Sequence, residues 1–213
     1  MALFTRVSGR KLKVKKASGP PLLPAAMQSF IAHRLTDTAG IVYVTMGICT
    51  ALALYTFNPA DPSFNTVSTG AKTHNLLGSA GSYSADLLLQ TLGLSSNLFA
   101  IAFISWGYRI LVRKPLENQG GKISLLAAAV LTGAVALARI PSFPSWGIGS
   151  YLGGSAGALI FAGIGNSLQT WLGTTAFIFV TACAFILSVF CFLTALGISL
   201  DEWATSLTRA RAG

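Results

Sequence analysis

The sequence predicts an all-α membrane protein with four transmembrane helices and both termini on the cytoplasmic side, and three observations carry that prediction. Residues 39–57, 87–108, 123–138 and 172–198 contain no charged residue at all. Hydrophobic residues make up 53% of the 213-residue chain and charged residues only 10%, against about 25% charged in an ordinary soluble domain. The basic residues are also shared unequally among the connections. Short loops rich in Lys and Arg stay cytoplasmic, and an N-inside start leaves 13 of the 15 basic residues inside, with only Lys72 and Arg139 outside.

In chain order, residues 1–24 read as a disordered basic tail, with six positive charges and no acid over residues 1–19. Such a tail suits an anionic lipid surface, at about 1 kcal/mol per basic residue near it, but also fits nucleic acid or no specific partner. The run Ser18-Gly-Pro-Pro-Leu-Leu-Pro24 that follows is not the apolar core of a cleavable signal peptide. Residues 25–36 are expected to form a juxtamembrane amphipathic helix, with Met27, Phe30, Ile31 and Leu35 on one stripe and Pro24 at its start. Asp37 is then expected to cap the first span of a membrane domain over residues 37–203.

A hydrocarbon core about 30 Å thick needs roughly 20 residues of helix. The spans 39–57, 87–108 and 172–198 satisfy that directly. The span 123–138 is shorter, about 24 Å, but Lys122 and Arg139 flank it and can reach the two surfaces. Pro115 and Gly120-Gly121 suit the tight inner turn between the second and third spans. The outer loop 58–85 opens on Asn58-Pro-Ala-Asp-Pro-Ser-Phe-Asn65, where two prolines fix the backbone and Asp61 and Ser63 can bond it locally, a rigid elbow. It continues as His74-Asn-Leu-Leu-Gly-Ser-Ala-Gly-Ser-Tyr-Ser-Ala-Asp86. Gly78 and Gly81 permit turns there, Ser82 or Ser84 can cap the second span, and Asp86 sits in that span's first turn.

The outer segment 139–171 is Gly-rich. Gly149, Gly153 and Gly157 repeat every four residues and share one helix face, as small residues do where membrane helices approach closely. That face serves packing within one subunit or an oligomer interface. Residues 151–164 are too few to span comfortably, so a re-entrant or interfacial helix before the last span is expected. Residues 204–213 read as the start of a cytoplasmic linker.

Site chemistry is sparse. Cys49, Cys183 and Cys191 lie in apolar stretches and act as small hydrophobes. His33 and His74 fall on opposite sides of the expected membrane, so no metal centre is predicted. Gly120-Gly-Lys122 fails the phosphate-loop pattern, with Leu116 in the first glycine's place and Ile123 where Ser or Thr is needed. No catalytic residue and no cofactor is expected here. A small transporter or channel is the alternative function, although the spans lack interior charges that could form a relay.

The loop residues carry a resemblance. NPADPSFN, then HNLLGSAGSYSAD, then GGSAG before a last long span, resemble the N-terminal four-helix membrane domain of FtsK/SpoIIIE-type bacterial DNA translocases from about Asp37 to Trp203. The residues that carry it are Asp61, Pro62, Ser63, Phe64, His74, Asn75, Gly78, Gly81, Asp86, Gly153, Gly154 and Gly157, with Ser82-Tyr83 departing where a Trp is expected. The resemblance implies a non-enzymatic anchor in the inner membrane at the division septum. It implies other septal membrane proteins and sister copies, as a hexamer, as partners. It also implies a motor absent from this chain that binds ATP, Mg and DNA, so that this chain is a fragment.

Overall fold

The computed structural model describes residues 24–64, 73–114, 116, 118–142 and 151–197. The expected disordered tail, Asn65 and Lys72 in the outer loop, Gly149 and the linker 204–213 lie outside those residues. Six helices follow in order: α1 (Ala25–Tyr55), α2 (Gly78–Leu92), α3 (Asn97–Leu111), α4 (Gln119–Leu137), α5 (Gly154–Leu172) and α6 (Thr175–Ala195). A 3-10 segment, Gly93–Ser96, joins α2 to α3. Four helical stretches are long and apolar enough to cross a membrane: Ala26–Tyr55, Gly78–Leu111, Gln119–Leu137 and Thr175–Ala195. This matches the four expected spans.

Several boundaries differ from the expected ones, each for a physical reason. Residues 25–36 do not form a separate helix, because no proline or glycine interrupts the chain between Pro24 and Gly40 and α1 runs straight through. Asp37 therefore caps nothing. It sits inside α1, and the Arg113 guanidinium beyond α3 reaches its carboxylate at 3.1 Å, with Arg34 at 4.0 Å. The segment 78–85 is helix rather than loop, so Asp86 lies two turns inside α2 instead of in the first turn. Ser82 and Ser84 cap no helix. Ser82 Oγ donates to the Pro62 carbonyl at 2.6 Å, and Ser84 Oγ donates to the Ala80 carbonyl within its own helix. The second span is not straight, being broken at Gly93. Finally, α5 is a 19-residue helix that takes in Leu172, and the last span starts only at Thr175.

Polar and charged residues bracket the membrane-sized portions. Asp37 and Tyr55 are about 27 Å apart along α1, and Lys122 and Arg139 about 26 Å apart along α4. At one end of the bundle stand Asp37, Arg113 and Lys122. At the other stand the loop after α1, the start of α2, and Arg139.

Small residues draw the helices together. A side chain added at Gly47 would meet the Ala100 carbonyl oxygen at 2.9 Å, and one at Gly107 would meet the Gly40 oxygen at 2.7 Å. Helices α1 and α3 thus touch backbone to backbone, an arrangement suited to lipid, where close packing replaces the hydrophobic drive. Gly47→Leu is expected to separate the pair and cost about 1–3 kcal/mol, read as an earlier midpoint in a detergent unfolding titration. An unchanged midpoint would mean that α1 yields freely. Across the core, the Trp106 indole donates to the Ala195 carbonyl at 2.9 Å, and Ser188 Oγ donates to the Ala129 carbonyl at 2.8 Å. These bonds tie α3 and α4 to α6, with Leu126 and Val130 buried among them.

Helix α5 starts against the broken span. Gly93 and Gly154 each take a positive φ, near 63° and 66°, and lie backbone to backbone. The 3-10 break frees the Leu94 amide, and the Leu152 carbonyl accepts its hydrogen bond at 2.9 Å. Irregular backbone at membrane depth is tolerated where protein satisfies it. Gly153 and Gly157 both press on the Ala134 carbonyl of α4. This glycine face is occupied within the chain, so a bulky residue at Gly153 would act first on the fold.

Candidate functional site: the Asp61 staple and its exposed rim

The connection from α1 to α2 contains the densest polar cluster among the described residues. Helix α1 ends at Tyr55, with Asn58 and Pro59 following. The Asn58 side-chain oxygen accepts from the Ala60 amide at 3.0 Å, and its carbonyl accepts from the Asp61 amide at 3.0 Å. This compact turn delivers Asp61 under the returning chain, where it is only 2% exposed.

Both Asp61 oxygens are engaged. Oδ1 accepts from the His74 amide and from His74 Nδ1, each at 2.9 Å, and Oδ2 accepts from the Asn75 amide at 2.9 Å. Facing a carboxylate, Nδ1 is the ring nitrogen that carries the proton. Burial pushes the Asp61 carboxyl up, but the two amides, the ring bond and the electrostatic attraction of His74 outweigh it, so its pKa lies below the ordinary 3.8.

Asn75 extends the cluster to α1. Its Nδ2 donates to the Ala53 carbonyl at 2.9 Å and the Thr56 carbonyl at 3.4 Å, meeting carbonyls that the helix end leaves without partners. Its Oδ1 accepts from the Leu77 amide at 3.1 Å. Thr56 Oγ1 accepts from the Leu76 amide at 3.2 Å. Gly81 packs so closely on Asn75 that no side chain fits there. Asp61, His74 and Asn75 therefore staple the end of the first span to the start of the second.

The remaining predicted residues divide in two. Pro62 accepts from Ser82, Ser63 is buried, and Phe64 stacks edge-on against Tyr83 with ring centroids 5.0 Å apart. Phe64 is nonetheless 70% exposed and Leu76 69% exposed, so the staple carries an apolar rim. Gly78 opens α2 with φ near 65° and nothing close by. Asp86 stands apart, buried in α2, and accepts from Gln90 Nε2 at 2.6 Å. Gly153 and Gly157 form a separate seam against α4, and Gly154 packs on Gly93 of the broken span. Sequence reasoning missed Ser82 and Thr56 as staple partners, and Gly40, Gly47, Gly93 and Gly107 as packing positions. The Gly40/Gly47 spacing of one heptad was the available signal for the α1–α3 contact.

Each Asp61 oxygen is spent on a bond within the chain, and no group of three potential metal ligands exists among the described residues.

A family profile described as the 4TM region of DNA translocase FtsK/SpoIIIE matches residues 32–205. A DNA translocase FtsK of Azospirillum brasilense is 31% identical over 195 residues, covering 91% of this chain and 30% of that protein. The one of Bradyrhizobium diazoefficiens is 26% identical over 73% of this chain and 20% of its own length. That of Caulobacter vibrioides is 36% identical over 54% of this chain and 14% of its own. The chain thus spans under a third of the length of these relatives. No solved structure matches it. With four membrane-capable helices and a profile match across nearly all of them, the chain belongs to the four-helix membrane region of the FtsK/SpoIIIE DNA translocases.

Proposed function

We propose that this chain is the membrane anchor and division-assembly module of a septal DNA translocase, inserted in the inner membrane with both ends in the cytoplasm. The family match across residues 32–205 carries this reading. The basic residues support the orientation. The end of the bundle bearing Arg34, Arg109, Arg113, Lys114 and Lys122 faces the cytoplasm, and the Asp61 staple faces the periplasm. A motor attached beyond the last span then lies on the side of the chromosome, and that absent part binds ATP, Mg and DNA. The rigid staple holds the Phe64–Tyr83 pair and Leu76 clear of the membrane as a contact surface for other septal membrane proteins. Copies of the chain assemble as the hexameric motor requires.

The module itself performs no chemistry. Expressing residues 1–213 as a fluorescent fusion in dividing cells is expected to give a midcell band. Uniform membrane fluorescence in cells with normal septa would overturn the reading.

A further inference from the structure

Arg139 is an exception to the charge pattern. Among the 15 basic residues it is one of only two outside the predicted cytoplasmic segments. It follows α4 at the same end of the bundle as the Asp61 staple, where the helices leave the hydrocarbon. A solitary arginine there would extend freely toward water. Instead its guanidinium lies over two rings, 5.1 Å from the Phe177 centroid and 6.0 Å from that of Phe161. No carboxylate among the described residues pairs with it.

Two open grooves meet at this guanidinium. One, of about 920 Å³, runs down the bundle between α4 and α6 and is almost wholly apolar, with Leu137, Ile140, Phe177, Ile178 and Phe185 along it. The other, of about 520 Å³, lies toward α5 and offers polar groups, with Tyr151 and Asn166 beside Ala158 and Ala162. A fixed cation thus separates a larger, almost wholly apolar groove from a smaller one of mixed lining at the membrane border. That division matches a phospholipid, which has an acyl chain below, an anionic phosphate at the border and a hydroxylated headgroup above.

We propose that Arg139 and these two grooves form a binding site for one anionic phospholipid of the surrounding leaflet. The phosphate rests on the guanidinium, whose planar fork suits it. One acyl chain occupies the α4–α6 groove, and the headgroup turns toward Tyr151 and Asn166. The stacked rings hold the guanidinium in place, so little side-chain freedom is lost on binding.

The site is tested with the 1–213 chain in nanodiscs containing a trace of phospholipid bearing a photoreactive acyl chain, either phosphatidylglycerol or phosphatidylcholine. Adducts are mapped by mass spectrometry. Adducts on residues 137–140 and 177–185 are expected to be about fivefold more frequent with the phosphatidylglycerol probe, one basic residue's effect at a lipid surface. Arg139→Gln should bring that ratio to about one, and Arg139→Lys should keep most of it. Adducts on the basic N-terminal residues serve as an internal reference and stay unchanged. Ala182→Phe, which fills the α4–α6 groove without touching the charge, should reduce labelling there by both probes. Equal labelling by the two probes in the parent chain, a ratio surviving Arg139→Gln, or groove labelling untouched by Ala182→Phe would each overturn the proposal.

Discussion

Gly93→Ala is expected to destabilise the protein by about 3 kcal/mol or more, a large effect for a single added methyl group. Gly93 ends α2 with φ near 63° and ψ near −146°, a region reserved in practice for glycine. An added methyl would also strike the Leu152 carbonyl oxygen, the group that accepts from the Leu94 amide. The substitution therefore strains the backbone and uncovers a polar group inside the membrane domain at once. An unfolding titration in mixed detergent, followed by tryptophan fluorescence, measures it. Gly163→Ala is the control, because Gly163 lies within α5 with open space around it. There alanine should gain up to about 1 kcal/mol from helix propensity. If Gly93→Ala stayed within about 0.5 kcal/mol of the parent, the seam between the broken span and α5 would not hold the fold.

Asp61→Ala is expected to cost about 3 kcal/mol, since two backbone amides and a ring N–H lose a buried charged acceptor together. The outer rim should loosen with it, so protease cleavage between α1 and α2 is expected to accelerate. The pH dependence has a definite sign. The folded carboxyl titrates below the ordinary value of 3.8, so folding favours its charged form. Its contribution is complete above the unfolded value and disappears as pH falls through the lower folded one. The stability difference between the parent and Asp61→Asn should thus be constant above about pH 5 and shrink in stronger acid. A difference that grew on acidification would contradict the hydrogen-bonded carboxylate.

The spans were legible in the sequence because burial in lipid is a property of local composition. Their ends were not. Helix α1 carries on through Asp37, whose carboxylate is met by Arg113 in the turn beyond α3 rather than by free amides of a helix start. The Ser- and Gly-rich segment 78–85 is helical although its intrinsic propensity is low, since Asn75 and Asp61 fix the turn before it and Ser82 grips Pro62. The Pro-bounded elbow at Asn58 was readable, and the family resemblance singled out Asp61, His74 and Asn75, which the structure brings together. The hydrogen bonds these three residues make across the loop span 13 to 22 residues, and no short-range pattern encodes them.

By itself the sequence determined that four helices cross a membrane, and its loop motifs pointed to the family to which the chain belongs. Only the tertiary structure decided that the second span breaks at Gly93, that Gly153 and Gly157 face α4 within one chain, and that Arg139 is stacked between two grooves. Transfer of a segment into lipid depends on that segment's own side chains, whereas a backbone break or a stacked guanidinium is stable only when a distant residue supplies its partner.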